Sequence, residues 1–325
     1  MSAIEQPASP GEVVEIVRAA RAAKRTVSVG GATAGVAIDT ARMVQVLHLD
    51  ETSLLAHAQA GLTLGALEER LNARGLTLGA LPPASRERTV GAALAAPRPS
   101  EATPRGRLAD ACAALDAVLA DGALIHTRLA PRRATGPDLS RALIGARGAT
   151  GVIVAAWLRL ARLPPSRAWA AWAFAGGEKA IAAARALLDR GARPADLSVA
   201  DGAVASRVIG DAVAAGEALL AIRFEGVAAM VDAERALASA LCDGARSLAD
   251  APAEAWLRGR GTVRQDERAV SMQEIAWKPG IELTGWTPAG AAIVGDRANA
   301  ADRIDPMTLA LAKELDPDGV FSTGA

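Results

Sequence analysis

The sequence contains no tyrosine and few of the residues that build metal or nucleophilic centres. Three histidines (His48, His57 and His126) and two cysteines (Cys112 and Cys242) occur in 325 residues. The cysteines show neither a CxxC spacing nor a nearby histidine, so we expect no disulfide framework and no structural zinc site. No histidine has a second histidine or a carboxylate at ligand spacing along the chain, which argues against a metal site. We expect each to be an ordinary strand residue, with a catalytic role as the alternative.

The chain also has no net charge, because its 36 lysine and arginine residues balance its 36 aspartate and glutamate residues. A neutral chain has no overall field that attracts nucleic acid or an anionic membrane surface, so we expect neither partner. Glutamates interrupt the first thirty residues, and no stretch reaches the roughly 18 apolar residues of a spanning helix. We therefore expect no signal peptide, no membrane span and a cytoplasmic location.

Helix and strand patterns alternate in the first half of the chain. The segment "SPGEVVEIVRAARAAKR" predicts a helix capped by Ser9, with Glu12 completing a capping box, and the strand "TVSVG" follows. A second helix is predicted from Thr63 to Arg74 and ends at Gly75. Together with strand patterns before and after it, these segments predict an α/β unit over about 1–75 and a second piece over about 76–165.

A separate layer is predicted beyond the proline pair of "ARLPPSR" (161–167), which ends a strand and stiffens the exit from it. The following patterns read strand, helix, strand, helix, an order that is typical of a split β-α-β arrangement on one antiparallel sheet. We expect this cap to cover 166–300. A last helix is expected in 301–325 and should pack back on the first domain.

A glycine-rich turn precedes the last strand of the first domain. In "ATGPDLSRALIGARGATGVIV" (134–154), Asp138 is expected to cap a short helix whose Leu139 and Leu143 face inward. Gly145, Gly148 and Gly151 then either make only a tight turn or let the backbone approach a ligand closely, and the stretch alone leaves both open.

Six segments, taken in order, resemble the flavin-binding half of the vanillyl-alcohol oxidase and para-cresol methylhydroxylase superfamily of FAD-linked oxidases. They are the opening helix, "VSVGGATAG" (27–35), "AQAGLTLGALEERLNARGLTLGALPPAS" (58–85), "TVGAALAA" (89–96), "RGRLADACAALDAVLADGALIHT" (105–127) and "LAKELDPDGVFSTG" (311–324). The short cap and the length are most similar to the smaller FAD-binding subunit of bacterial glycolate oxidase. The resemblance implies an α+β fold with a two-part FAD-binding domain, a ferredoxin-like antiparallel cap and a returning C-terminal helix.

The resemblance also implies noncovalent FAD, because no histidine aligns with the position of covalent attachment. The family's pattern places the FAD contacts in three groups. They are Val29, Gly30, Gly31, Ala32 and Thr33 at the diphosphate; Pro82, Thr89, Gly91 and Ala92 near the ring system and ribose; and Gly148, Gly151 and Val152 at the adenine-side half. A glycine pair at a strand end exposes N–H groups that can cradle a diphosphate, although a lone pair is more often a plain turn.

The activity implied by the resemblance is oxidation of a small 2-hydroxy acid such as glycolate, by a subunit that acts with other oxidase subunits. The alternative is a noncatalytic subunit that binds other proteins and has a degenerate FAD site, since Ala32 and Ala92 stand where the family has glycine. Candidates for anchoring a carboxylate are Arg223, Arg258, Arg260, Arg264 and Arg268. Glu225 or Glu274 is a candidate base if buried. No catalytic residue and no metal is assigned.

Overall fold

A computed structural model of the protein describes residues 3–30, 35–79, 81, 85–98, 102–103, 106–130, 138–259, 267–271, 282–287, 290–294 and 306–321. These residues form a mixed α/β structure in which a three-stranded sheet and a five-stranded sheet precede a seven-stranded sheet along the chain. Two short two-stranded sheets complete the described part.

The first sheet is parallel and is packed against the opening helix. Its strands are β1 (Ala3–Glu5), β2 (Val27–Val29) and β3 (Val36–Ile38), in the order β1-β3-β2, and the helix is α1 (Pro10–Ala22). The predicted cap is confirmed, because the amide of Glu12 donates to Ser9 Oγ at 3.3 Å. Val13 and Val17 of α1 are fully buried against the sheet, so the period of the apolar positions fixes which face of the helix turns inward.

The second sheet is antiparallel, in the order β10-β9-β11-β5-β4, and it includes the predicted strand at 152–160. The elements of this part are β4 (Val46–Asp50), β5 (Leu55–Gln59), α2 (Leu64–Asn72), β6 (Leu76–Thr77), α3 (Val90–Ala95), β7 (Ala102–Thr103), β8 (Gly106–Arg107), α4 (Leu108–Ala111), β9 (Cys112–Val118), β10 (Leu124–His126), α5 (Ser140–Leu143), β11 (Val152–Arg159) and β12 (Ala161–Arg162). Helices α2 and α3 cover one face of the sheet, where Leu64 and Leu67 meet Leu115 and Leu158 in one core.

The opposite face of this sheet joins it to the first sheet. Val118 and Val154 pack in the same buried cluster as Val13 and Val17 of α1.

The prediction that Leu139 faces inward is wrong, because Leu139 is 53% exposed whereas Leu143 is buried. Helix α5 has only four residues and begins after Leu139, so a single turn cannot bury both side chains on one face.

The third sheet, which we call the cap sheet, begins just after the predicted proline linker. Its order is β16-β13-β15-β14-β18-β19-β17, and all its pairings are antiparallel. Its elements are β13 (Ser166–Phe174), α6 (Gly177–Asp189), β14 (Asp196–Asp201), α7 (Gly202–Ile209), β15 (Ala218–Gly226), α8 (Ala228–Leu241), β16 (Arg246–Leu248), α9 (Asp250–Gly259), β17 (Glu267–Ser271), β18 (Glu282–Thr287) and β19 (Gly290–Val294). Helices α6 and α8 cover one face, and α7 and α9 cover part of the other.

The end of the described chain returns to the first sheet. Helix α10 (Pro306–Leu315) lies beside α5, and Asp316 accepts hydrogen bonds from the amides of Val320 and Phe321 at 2.8 and 2.7 Å. The amide of Val27 donates to the carbonyl of Val320 at 2.6 Å. The strand that leads to the glycine pair is therefore held on its free side by the C-terminal segment.

All three histidines lie in strands, as expected: His48 in β4, His57 in β5 and His126 in β10. Two of them also meet one carboxylate, a contact that spacing along the chain did not reveal. His57 Nε2 and His126 Nδ1 lie 2.9 and 2.8 Å from the two carboxylate oxygens of Asp116, and His57 stacks on Trp157 with ring centroids 4.5 Å apart. Burial raises the pKa of Asp116, but the hydrogen bonds from the two histidines outweigh burial, so the net shift is downward. The group stabilises one face of the sheet.

Asp116→Asn is expected to lower the free energy of unfolding at neutral pH by about 1–3 kcal/mol, because it removes a charged acceptor of two hydrogen bonds. Since folding lowers the pKa of Asp116, its contribution is fully present above the unfolded carboxyl pKa of about 4 and is lost as pH falls through the folded value. Urea unfolding at several pH values measures this. Equal stability of the two proteins at neutral pH would contradict it, and Asp121→Asn in the same hairpin is the control.

Candidate cofactor site

A cavity of about 610 Å³ lies where β2, α3 and the loop between α5 and β11 meet. Most of the predicted FAD contacts that the structure describes line it: Val29, Gly30, Thr89, Gly91, Ala92, Gly148 and Gly151. Val152 follows Gly151, but its side chain is buried in the core beside α1. Gly31, Ala32, Thr33 and Pro82 lie outside the described residues. Residues as distant in the chain as Val29 and Gly151 thus share one cavity.

Gly148 brings the two halves of the cavity together. Its φ is +85°, and a Cβ added there would lie 3.2 Å from Val29 Cγ2. Any larger residue would be strained by the left-handed backbone and would also push against the β2 strand. Gly148 thus makes a turn and permits close packing against Val29, and its approach to a ligand stays a prediction.

Gly91 lines the cavity and also permits close packing between α3 and the end of β5. A Cβ at this position would lie 2.9 Å from Ala60 Cβ, so the glycine lets α3 pack against the end of β5. Its neighbour Ala92 is exposed on the cavity wall. The methyl group that raised the possibility of a degenerate site therefore leaves the cavity open.

Three amides among the predicted FAD contacts already donate hydrogen bonds within the protein. The amide of Gly30 donates to the carbonyl of Ile38 at 3.2 Å, that of Gly91 to the carbonyl of Ala60 at 2.9 Å, and that of Ala92 to Thr89 Oγ1 at 3.2 Å. The expectation of an exposed donor is therefore wrong at Gly30. The lack of bulk at these three positions, not their N–H groups, is what they offer a ligand.

Two arginines bring positive charge to this cavity. Of the described residues that line it, the charged ones are Asp39, Arg88 and Arg147. Arg88 Nη2 donates to the carbonyls of Ala92 and Ala96 at 2.7 and 2.6 Å, which ties it to the end of α3. Arg147 has a φ of +51°, a left-handed conformation that is uncommon for a residue with a side chain. Two guanidinium groups beside an edge of glycines fit a dinucleotide diphosphate.

A second cavity, of about 470 Å³, lies between α2 and the cap sheet. The segment 86–89 separates it from the first cavity, since Arg86 lines the second and Arg88 and Thr89 line the first. Of the arginines proposed as carboxylate anchors, Arg223 and Arg258 lie in its wall, as does Glu225. Arg260, Arg264 and Glu274 fall outside the described residues, and only the backbone of Arg268 is described.

Glu68 is a residue that the sequence reasoning missed. It lies in the wall of the second cavity and is 8% exposed. Burial raises the pKa of its carboxyl, although hydrogen bonds from the Thr77 hydroxyl and the amide of Leu78 act in the opposite direction. Its place in the apolar period of α2 concealed it, because a glutamate at that position usually lies at the edge of a helix face.

Within the ranges that the structure covers, no cluster of histidine, cysteine or acidic side chains is arranged to hold a metal ion. In the same ranges, no helix is long and apolar enough to cross a membrane.

Comparison with known proteins identifies the first cavity's surroundings. Residues 1–128 match the family model described as an FAD binding domain. This part of the chain is an FAD-binding domain. FAD is therefore its cofactor, and the first cavity, with its glycine edge and two arginines, is the candidate site for it.

The chain is similar over part of its length to curated FAD-linked enzymes. The uncharacterized FAD-linked oxidoreductase YgcU of Escherichia coli (strain K12) is 30% identical over 131 residues, which cover 40% of this chain and 27% of YgcU. The probable mitochondrial D-lactate dehydrogenase of Danio rerio is 29% identical over 167 residues, covering 50% of this chain and 33% of that protein. The matches thus span a third or less of these relatives' own length.

Solved structures extend the likeness to nearly the whole chain. An alkyldihydroxyacetonephosphate synthase matches 98% of this chain and 76% of its own, with a TM-score of 0.78 and 18% identity. p-Cresol methylhydroxylase with substrate bound matches 98% and 87%, with a TM-score of 0.71 and 13% identity. The FAD-binding domain and the cap sheet therefore have the fold of the para-cresol methylhydroxylase type.

Gly148→Ala is expected to weaken FAD binding by about tenfold, since the added methyl group pushes β2 away from the cavity. Gly145→Ala is the matched control, because its φ of +82° imposes a similar backbone strain while a Cβ there meets nothing within 4 Å. Titration of apoprotein with FAD, followed by flavin fluorescence, measures both dissociation constants. Equal affinities of the two variants would show that the Gly148 approach does not shape the FAD site.

Proposed function

We propose that the protein is an FAD-dependent oxidoreductase that oxidises a small 2-hydroxy acid such as glycolate, with FAD bound noncovalently. The observation that carries the proposal is the adjacency of the two cavities across segment 86–89, one in the FAD-binding domain and one lined by arginines of the cap sheet. Similarity to a D-lactate dehydrogenase supports the substrate class, because lactate is a 2-hydroxy acid.

In this proposal the first cavity binds FAD and the second binds the substrate. Bound FAD supplies a hydride acceptor. Val29, Gly148 and the two arginines of the first cavity bind and orient it, and the arginines of the second cavity hold a carboxylate by paired N–H donors. Buried Glu68 fixes β6, a wall of the second cavity, through Thr77 and Leu78. In this proposal, a substrate held in the second cavity would lie beside the FAD site.

A multisubunit role is also part of the proposal. Its support is the resemblance of the ordered segments to the smaller FAD-binding subunit of glycolate oxidase, in which further subunits complete the enzyme. The cytoplasmic location expected from the sequence stays a prediction. The scaffold alternative requires a site that rejects FAD, so one spectrum of the purified protein separates the two functions.

Purified protein is expected to show a flavin absorption spectrum, and acid precipitation is expected to release the chromophore because its attachment is noncovalent. Under anaerobic conditions, a small 2-hydroxy acid should bleach the flavin band as it is oxidised. A colourless preparation that also refuses added FAD would leave the scaffold function. A flavin that is bound but unaffected by glycolate, lactate and larger 2-hydroxy acids would overturn the substrate class.

A further inference from the structure

We propose that the second cavity is a receptor for one carboxylate and that Arg223 is the residue that binds it. The inference deepens the proposed function and rests on it for the identity of the natural ligand. The cavity itself is defined by described residues of α2, β6, β13, β15 and α9. The ion pairs of the arginines in its wall single out Arg223.

Of the four arginines in the cavity wall, Arg223 has the longest ion pair to a carboxylate. Arg86 pairs with Glu69 at 3.0 Å and Arg258 pairs with Glu254 at 2.7 Å. Each of these two arginines therefore has a carboxylate of its own, and that carboxylate does not line the cavity.

The remaining two arginines share one acid. Glu225 Oε1 accepts a hydrogen bond from Arg167 Nε at 2.7 Å and lies 3.5 Å from Arg223 Nε. Because Glu225 is closer to Arg167, the guanidinium of Arg223 is the group left with uncompensated charge. Arg167, Arg223 and Glu225 together therefore carry a surplus of one positive charge, which a monoanion would neutralise.

The unpaired atoms of Arg223 define the shape of the ligand group. The side chain is 18% exposed, and its Nε and Nη2 are buried without a hydrogen-bond partner. These two nitrogens form one edge of the guanidinium plane, the edge that accepts both oxygens of a carboxylate in parallel. A buried donor without a partner costs free energy, so the folded protein retains a strain that a bound carboxylate relieves.

The ligand group is thus a carboxylate on a small molecule, in agreement with a 2-hydroxy acid. Trp169 lies in the same wall, with the Arg258 guanidinium 5.8 Å from its ring centroid. Its ring offers an apolar surface to the carbon atoms next to the carboxylate. A cavity of about 470 Å³ holds such an acid with room to spare.

The test uses 2-hydroxy-2-methylpropanoate, which has the carboxylate and the hydroxyl of the proposed substrates but no hydrogen on C2 and so cannot be oxidised. Binding to the full-length protein is measured by calorimetry, with the uncharged amide of the same acid as the control ligand. We expect the acid to bind and the amide to bind at least about tenfold more weakly, because the charged hydrogen bonds are lost. Failure of the acid to bind, or equal binding of the amide, overturns the proposal.

Arg223→Met separates a ligand receptor from a structural arginine. We expect the variant to lose about tenfold or more in affinity for the acid while its unliganded Tm stays unchanged or rises, because an unpartnered buried cation is removed. Arg190→Met, at the exposed end of α6, should change neither affinity nor Tm. A several-degree fall in the Tm of unliganded Arg223→Met, or unchanged affinity, overturns the assignment of Arg223.

The outcome is distinguishable from failure of the proposed function. If the acid binds through Arg223 while no 2-hydroxy acid reduces the flavin, the carboxylate receptor stands and the oxidoreductase proposal falls. If a 2-hydroxy acid reduces the flavin of Arg223→Met with an unchanged KM, the oxidoreductase proposal stands and this inference falls.

Discussion

The contact between Gly148 and the side chain of Val29 is the constraint on which the rest of the site depends. Here the loop before β11 packs directly against β2 of the first sheet. A Cβ at Gly148 would lie 3.2 Å from Val29 Cγ2. Gly91 plays the corresponding part on the other side, where it lets α3 reach the end of β5. The cavity is therefore a product of packing between two sheets, and its width is set by the absence of two methyl groups.

The sequence predicted correctly those elements whose structure depends on residues close together in the chain. Ser9 and Glu12 cap α1 as expected, because a capping box acts within one turn. By contrast, β14, α7 and α9 were not recognised. Trp256 of α9 is buried and its Nε1 donates to Ser198 Oγ of β14 at 3.1 Å, so these elements are stabilised by contacts between distant segments. Three of the five apolar residues of α9 are alanines, so the apolar period of this helix is weak.

The sequence predicted which glycines line the cavity, but it did not predict the partners of the polar groups. Spacing along the chain could not show that His57 and His126 meet at Asp116, since cross-strand neighbours depend on register. Nor could it show that the amides of Gly30 and Gly91 are already used, because the acceptors at Ile38 and Ala60 come from other segments. Arg223 was one of five candidates in the sequence, and only the pairing of its neighbours singles it out.

The central claim is that the cavity bounded by Val29, Thr89 and Gly148 holds FAD. A crystal structure of the protein grown with FAD tests this most directly. The account predicts flavin nucleotide density in that cavity, with the diphosphate beside β2 and a guanidinium of Arg88 or Arg147 near it. FAD bound elsewhere on the protein, or an empty cavity at a saturating FAD concentration, would contradict the account.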